Sequence, residues 1–164
     1  MTWTIAPEPH DSPVAAALWR AYYTEVSDRW YLLHENHRTD PAELEREIAA
    51  RTGAELALPY GQLLVAWHEG AAAGSAGVRL LDATTAELTR VFIYEGMRGR
   101  GGAPRLVTAA EDAARDLGAK VMILDTRNDL VEARTLYTRL GYEETDRHNN
   151  DPYAEHWFRK SLSD

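Results

Sequence analysis

The chain of 164 residues contains 45% hydrophobic and 27% charged residues, the balance of a folded globular protein rather than of a disordered or fibrous one. Its net charge of −8 argues against a nucleic-acid binder, because such proteins usually present a basic face to the phosphates. The sequence has no cysteine, which excludes disulfides, thiolate catalysis and cysteine-based zinc sites.

No targeting or membrane segment is expected. The first ten residues have neither a basic start nor an apolar stretch, so they do not resemble a secretory signal. The longest apolar run, Val14–Trp19, has six residues, whereas a membrane helix needs about 20. We therefore expect a cytoplasmic protein without a membrane partner.

The N-terminal third predicts a strand, two helices and an aromatic loop. A short strand is expected over Thr2–Ala6, and a helix begins near Ser12, which can cap it. Asp40, followed by proline, predicts the start of a second helix that runs to about Arg51. The aromatic stretch Trp30–Leu33 is predicted to be a loop between the two helices.

The middle of the chain changes from helical to extended periodicity. Leu63–Trp67, Ala71–Leu81 and Glu87–Tyr94 read as three strands joined by short turns. A glycine-rich loop, Met97–Pro104, follows the third strand and leads into a helix. A strand, a glycine loop and a helix in this order are typical of an anion-binding site.

The C-terminal part predicts two more helices and three more strands. The elements expected there are an amphipathic helix ending at Gly118, a strand at Val121–Leu124, a helix from an Asn128 cap to Gly141, and a strand pair at 142–147 and 155–160. The order of all elements predicts an α/β fold with a mixed sheet and helices on both faces. The length predicts one domain over residues 1–164.

The glycine loop can bind a phosphate through its backbone. Glycines let N–H groups approach the anion, and the start of the helix adds unpaired donors. No lysine follows as in G-x-x-x-x-G-K-[ST], and Pro104 breaks the dinucleotide pattern G-x-G-x-x-G. A plain turn into a helix remains the alternative for this loop.

Four segments together resemble the GNAT superfamily of N-acetyltransferases. Arg98–Ala103 fits that family's Arg/Gln-x-x-Gly-x-Gly/Ala signature. The other three are the preceding strand Glu87–Ile93, the stretch Asn128–Tyr142 that is similar to the N…A…LYxxxGF motif, and the closing strand within Pro152–Leu162. The resemblance covers residues 62–162 and implies a mostly antiparallel central sheet flanked by helices on both faces.

The resemblance implies acetyl-CoA as the acyl donor. By that analogy the pyrophosphate lies on the N–H groups of Arg98, Gly99, Arg100, Gly101, Gly102 and Ala103. The main chain of Val91, Phe92 and Ile93 would pair with the pantetheine arm like an added strand. Asn128 would bond a pantetheine amide, or serve only as a helix cap. This arrangement requires the strand before the loop to diverge from the Val121 strand.

Two residues are candidates for proton transfer. Tyr137 matches the tyrosine that protonates the leaving thiolate in many family members, and its alternative is a core aromatic at helical spacing. Glu87 is the candidate base, directly or through water, and its alternative is a surface carboxylate paired with an arginine. Strand alternation predicts that Glu87, Thr89, Val91 and Ile93 share one face.

The resemblance implies an acceptor site near Trp30 and Tyr31, in the segment that covers the acceptor in this family. His148, beside the last hairpin, is a further candidate, with a structural role as its alternative. The acidic, aromatic N-terminal region favours a cationic small-molecule amine. No histidine pair has a clear metal-ligand pattern, so no metal is expected. A homodimer is compatible with such a domain.

The predicted function is acetyl transfer from acetyl-CoA to a primary amine by direct attack, since no cysteine is available for a covalent intermediate. The alternative is a non-catalytic acyl-CoA-binding or regulatory module on the same fold.

Overall fold

Seven strands form one sheet in the order β1-β2-β3-β4-β5-β7-β6. The structure is a computed structural model and describes residues 2–163. The strands are β1 Trp3–Pro7, β2 Gly61–His68, β3 Ala71–Leu80, β4 Thr85–Ile93, β5 Val121–Thr126, β6 Glu143–Thr145 and β7 His156–Ser161. The helices are α1 Pro13–Glu35, α2 Pro41–Ala50, α3 Gly102–Asp116 and α4 Val131–Arg139.

The sheet is mostly antiparallel, and the pair β4–β5 is parallel. Helices cover both of its faces. Leu106 of α3 and Tyr137 of α4 belong to the main core on one face, while Leu18 of α1 packs with Val65 and Phe92 on the other. The predicted α/β class, with a mixed sheet between helices, is confirmed.

Local signals set the starts of α1 and α2. The Ser12 hydroxyl accepts a hydrogen bond from the Ala15 N–H at 3.0 Å, and the Asp40 carboxylate accepts one from the Glu43 N–H at 3.1 Å. Each satisfies an amide that the first helical turn leaves unpaired. Both caps agree with the sequence-based prediction.

Helix α1 is longer than predicted, and it contains the aromatic stretch that was expected to be a loop. It continues to Glu35 and ends where Asn36 takes a left-handed conformation with φ of 60°. Tertiary contacts explain the extension, since Arg29 binds Glu132 and donates to the carbonyl of Asp129 at 2.7 Å. Trp30 and Tyr31 therefore lie on a helix rather than in a loop.

A second local prediction is wrong at the start of α4. Leu130, rather than Asn128, occupies the N-cap position, and no side chain caps this helix. Asn128 instead forms part of the connection between β5 and α4, where Glu155 accepts a hydrogen bond from its N–H at 3.1 Å. The Asn128 Oδ1 lies 2.9 Å from the Nε2 of His156, so this side chain is engaged elsewhere and does not cap the helix.

Within residues 2–163, no helix combines the length and apolar character needed to cross a membrane.

Candidate active site

A cleft of about 1510 Å³ opens where β4 and β5 separate. Their parallel pairing runs from Thr85–Val121 to Glu87–Ile123, although β4 continues to Ile93. The cleft exceeds the roughly 300–1,000 Å³ of an ordinary small-molecule site, so it has room for two substrates. The divergence of the two strands agrees with the expectation from the sequence.

A β-bulge at Arg90 changes which side chains of β4 face the same way. Thr89 pairs with Gly77 and Phe92 with Ser75, which leaves an extra residue on β4, and Arg90 has a φ of +55°. Leu88, before the bulge, and Val91 and Ile93, after it, all pack into the core with α3. Glu87 and Thr89 are the neighbours of Leu88 along the strand, so their side chains point to the opposite face. That face packs against α1 and also carries Phe92.

The prediction that Glu87, Thr89, Val91 and Ile93 share one face is therefore wrong. It rested on strict alternation along β4, and the bulge inserts one residue into that alternation. Glu87 and Thr89 lie on the α1 side, whereas Val91 and Ile93 lie on the α3 side.

The glycine loop presents a row of free backbone donors. Within residues 2–163, none of the five N–H groups from Gly99 to Ala103 donates a hydrogen bond. Gly99 and Gly101 have φ of +77° and +82°, and a Cβ on either would meet nothing within 4 Å. The amides thus border open space at the N-terminus of α3, which suits an anion such as a pyrophosphate.

Arg98 differs from the rest of the loop. Its N–H donates to the Glu95 carbonyl at 3.2 Å. Its side chain donates to the Ile93 carbonyl at 2.9 Å and to the Glu25 carboxylate at 2.8 Å. Arg98 ties the loop to β4 and α1, and its own amide is already used. The Arg100 side chain does not line the cleft.

Trp3 supports the loop from behind. Its indole Nε1 donates to the Arg100 carbonyl at 2.9 Å, and a Cβ on Gly102 would overlap its ring. The contact joins residues 97 positions apart. Sequence reasoning missed it, because nothing in the motif points to the first strand.

Tyr137 and Tyr22 line the cleft, and neither hydroxyl has a hydrogen-bond partner among the described residues. Tyr137 is only 7% exposed. Its burial raises its pKa well above the ordinary value, and Tyr22 and Asp125 add to that effect. The Tyr137 phenol therefore stays protonated over the whole range of physiological pH.

Glu87 and Asp125 are two of the carboxylates that line the cleft, and they differ in their partners. Glu87 forms an ion pair with Arg79 at 2.8 Å. Asp125, at the end of β5, has no ion pair among residues 2–163, and it accepts a hydrogen bond from the Asn149 amide at 2.7 Å. Burial raises the pKa of Asp125, and the nearby Asp151 and Glu87 charges add to it, while the bond from Asn149 opposes it.

A chain of hydrogen bonds orients Asp125. Trp157 Nε1 donates to the Asn149 Oδ1 at 3.0 Å, which leaves the Asn149 Nδ2 directed at Asp125. Sequence reasoning missed Asp125. The available signal was a single acidic residue directly after the apolar strand Val121–Leu124.

Among the predicted acceptor residues, Trp30, Tyr31 and His148 line the cleft. Trp30 packs edge-on against Tyr153, with ring centroids 5.5 Å apart. The Tyr31 hydroxyl donates to Glu43 at 2.7 Å. These aromatic side chains link α1 to α2 and to the loop before β7.

Asn128 lies outside the cleft. It is exposed, and its Oδ1 is 2.9 Å from Nε2 of His156. The structure thus gives Asn128 a structural contact and does not bring it to the residues that line the cleft. Among the described residues, no group of three His, Asp or Glu has the arrangement of a metal site.

Comparisons with known proteins agree with this geometry. The model of the acetyltransferase (GNAT) family matches residues 15–142. The uncharacterized N-acetyltransferase YjgM of Escherichia coli is 34% identical over 82 residues, which span 48% of this chain and 49% of that protein. The chain thus matches about half the length of this curated relative.

Solved structures share the fold over nearly the whole chain. An acetyltransferase of the GNAT family from Staphylococcus aureus superposes with a TM-score of 0.77 at 14% identity, covering 99% of this chain and 100% of its own. The PaiA N-acetyltransferase of Thermoplasma acidophilum, solved with coenzyme A, has a TM-score of 0.72 at 15% identity, covering 98% and 99%. At these identities the likeness concerns the fold.

Proposed function

This chain belongs to the acetyltransferase (GNAT) family, and we propose on that premise that it transfers an acetyl group from acetyl-CoA to a primary amine of a small molecule. The observation that carries the proposal is the cleft between β4 and β5. It has four free amides at one edge, those of Gly99, Gly101, Gly102 and Ala103, and the free hydroxyl of Tyr137 in its wall.

The residues present fit acetyl-CoA. The free N–H groups of Gly99–Ala103, at the start of α3, would hold the pyrophosphate. The edge of β4 beyond Glu87 faces the diverging β5, so the main chain of Val91, Phe92 and Ile93 would bind the pantetheine arm as an added strand does. Asn128 has no part in this proposal, because its side chain contacts His156.

Acetyl-CoA supplies a thioester that a neutral amine attacks directly. The chain contains no cysteine to carry the acetyl group covalently. Tyr137 would donate its proton to the leaving thiolate, whose conjugate thiol has a reference pKa of about 8.5. The raised pKa keeps Tyr137 protonated at neutral pH, and it also makes the phenol a weaker acid toward the thiolate.

Asp125 is the base that the geometry favours over Glu87. Arg79 holds the Glu87 carboxylate at 2.8 Å, so that oxygen is committed to an ion pair. Asp125 forms no ion pair among the described residues, and its raised pKa brings it closer to the pH at which a base accepts a proton efficiently. We assign to Asp125 the removal of the amine proton, directly or through water, with Glu87 as the alternative.

A thiol-release assay across primary amines tests the function, with acetyl-CoA binding measured in parallel by calorimetry. We expect tight binding of acetyl-CoA and release of CoA that depends on the amine. Binding without release for any amine would favour the non-catalytic acyl-CoA-binding module instead. If acetyl-CoA does not bind either, the assignment of the cleft as an acetyl-CoA site is contradicted. The cytoplasmic location and the homodimer stay predictions.

A further inference from the structure

The guanidinium of Arg90 lies in the cleft wall between α1 and the segment after α2. It stacks on the Trp19 ring, with its central carbon 3.7 Å from the ring centroid. It donates to the Arg51 carbonyl at 3.4 Å, and a Cβ on Gly53 would lie 2.9 Å from its Nη1. The bulge that carries Arg90 at a φ of +55° turns it toward this wall. A non-glycine residue held in that conformation indicates a constraint by its surroundings.

The positive charge of Arg90 is incompletely balanced. Its side chain is 14% exposed, and its carboxylate partner, Glu55, is 3.9 Å away and 47% exposed. Arg51 lines the same wall and forms no ion pair among residues 2–163. Burial lowers the pKa of Arg90, and the nearby Arg51 charge acts in the same direction, against Glu55 and Tyr22. A buried cation with so distant a counter-ion is destabilised until an anion joins it.

This wall is next to the proposed reacting groups. Burial raises the pKa of Tyr22. The charge of Asp125 raises it further, whereas the charges of Arg127, Arg90 and Arg51 lower it. Tyr22, both arginines and Asp125 line the cleft. Tyr22 and Asp125 also raise the pKa of Tyr137. An anion on the arginines would therefore share the cleft with the proposed acid and base.

Several of the acids that predicted a cationic acceptor lie outside the cleft or already have a partner, although Glu47 lines the cleft. Glu45 forms an exposed ion pair with Arg20 at 2.6 Å, and Glu43 accepts the Tyr31 hydroxyl. Arg90 and Arg51 line the same cleft as Asp125 and Tyr137. The acceptor therefore meets positive charge at one end and the carboxylate of Asp125 at the other.

We propose that Arg90 and Arg51 bind a carboxylate of the acceptor, so that the acceptor is an amino carboxylate whose amine extends toward Asp125. This inference rests on the proposed acetyl transfer. The planar guanidinium fork matches the two oxygens of a carboxylate, which is the group that arginine binds in a bidentate manner. A dianionic phosphate is disfavoured by the acidic side chains Glu47 and Asp151 in the same cleft.

The test uses matched pairs of acceptors that differ only in that group. Glycine, β-alanine, 4-aminobutyrate and 5-aminovalerate are compared with their carboxamides, and O-phosphoethanolamine and 1,4-diaminobutane serve as further probes. We expect kcat/KM for thiol release to be at least tenfold higher for one or more acids than for the matching amides. Arg90→Met and Arg51→Met should each reduce that ratio to about one, while the KM for acetyl-CoA changes little.

A matched control separates specificity from folding. Arg46 is exposed on α2 and does not line the cleft, so Arg46→Met should keep the ratio of the wild type. If Arg90→Met unfolds the chain because the Trp19 stack is lost, Arg90→Lys and Arg51→Met provide the same readout. A lower melting temperature with an unchanged acid-to-amide ratio would assign the arginines a structural role and overturn the proposal.

Two outcomes distinguish failure of this inference from failure of the proposed function. Turnover of amides, 1,4-diaminobutane or O-phosphoethanolamine at rates equal to the acids would overturn the carboxylate site and leave acetyl transfer standing. If no acceptor turns over, calorimetry with 5-aminovalerate and its amide decides. Preferential binding of the acid that Arg90→Met abolishes supports the site, and equal binding of both refutes it.

Discussion

The indole N–H of Trp3 donates a hydrogen bond to the carbonyl of Arg100 at 2.9 Å, joining the first strand to the glycine loop. The same ring fills the space behind Gly102, at the start of α3. The loop that presents the free amides is therefore held by a residue outside its own motif.

We expect Trp3→Phe to raise the KM for acetyl-CoA by about 2- to 10-fold, the equivalent of one hydrogen bond of roughly 0.5–1.5 kcal/mol. Phenylalanine keeps a ring behind Gly102 but cannot donate to Arg100, so kcat should change little. Steady-state kinetics with varied acetyl-CoA measure the split. Trp67→Phe, in a separate core cluster, is the control. If Trp3→Phe and Trp67→Phe have the same KM for acetyl-CoA, Trp3 does not position the glycine loop.

Gly101→Asp should lower acetyl-CoA affinity at least tenfold while the fold is retained. Gly101 has a φ of +82° beside open space, so the carboxylate would be directed to where the anion is expected to bind. Gly70→Asp is a matched control, because Gly70 has a φ of +85° and open space but lies in the β2–β3 turn. Calorimetry measures both. Unchanged affinity in Gly101→Asp would contradict the phosphate loop.

Tyr137→Phe should lower kcat by about 10²-fold, the usual effect of losing a general acid. Stability should hardly change, because the hydroxyl has no partner among residues 2–163. Tyr142→Phe is the opposite case, since its hydroxyl donates to buried Glu111 at 2.8 Å. That variant should lose about 1–3 kcal/mol of unfolding free energy and keep its kcat. An unchanged kcat in Tyr137→Phe would shift the role of proton donor to Tyr22.

Asp125→Asn should reduce kcat/KM at neutral pH more than Glu87→Gln does. Asn149 can still donate to the new amide oxygen, so the geometry of the cleft is preserved. In the wild type, kcat/KM should fall on acidification as Asp125 becomes protonated, at a pH above the ordinary aspartate range. A larger effect of Glu87→Gln would reassign the base to Glu87.

Asp125→Asn should also raise the melting temperature at neutral pH. The folded chain holds the Asp125 proton more tightly than the unfolded chain, whose pKa is about 3.9. The free energy of unfolding therefore falls as the pH rises from the pKa of Asp125 in the unfolded chain to its pKa in the folded chain. Asparagine does not ionise, so the variant does not lose this stability. Thermal melts of both proteins from pH 3.5 to 8 measure this. A difference that does not shrink toward the acid end would contradict the assigned pKa direction.

Much of the fold could be predicted because its signals are local. The caps at Ser12 and Asp40 satisfy amides within three residues, and the left-handed φ of Gly99 and Gly101 is a conformation that glycine adopts without a steric penalty. Side-chain periodicity then sets the order of helices and strands. The resemblance to a known family rests on these same local segments, and the family match confirms it.

The chemistry of the cleft depends on contacts between distant parts of the chain. The bulge at Arg90 is set by pairing with β3, so alternation within β4 alone predicted the wrong face for Val91 and Ile93. Asp125 is a candidate base because Asn149, from another segment, holds it. Such contacts arise only when remote segments pack together, because burial and charge at one residue are determined by its neighbours in space. Position in the sequence does not carry that information.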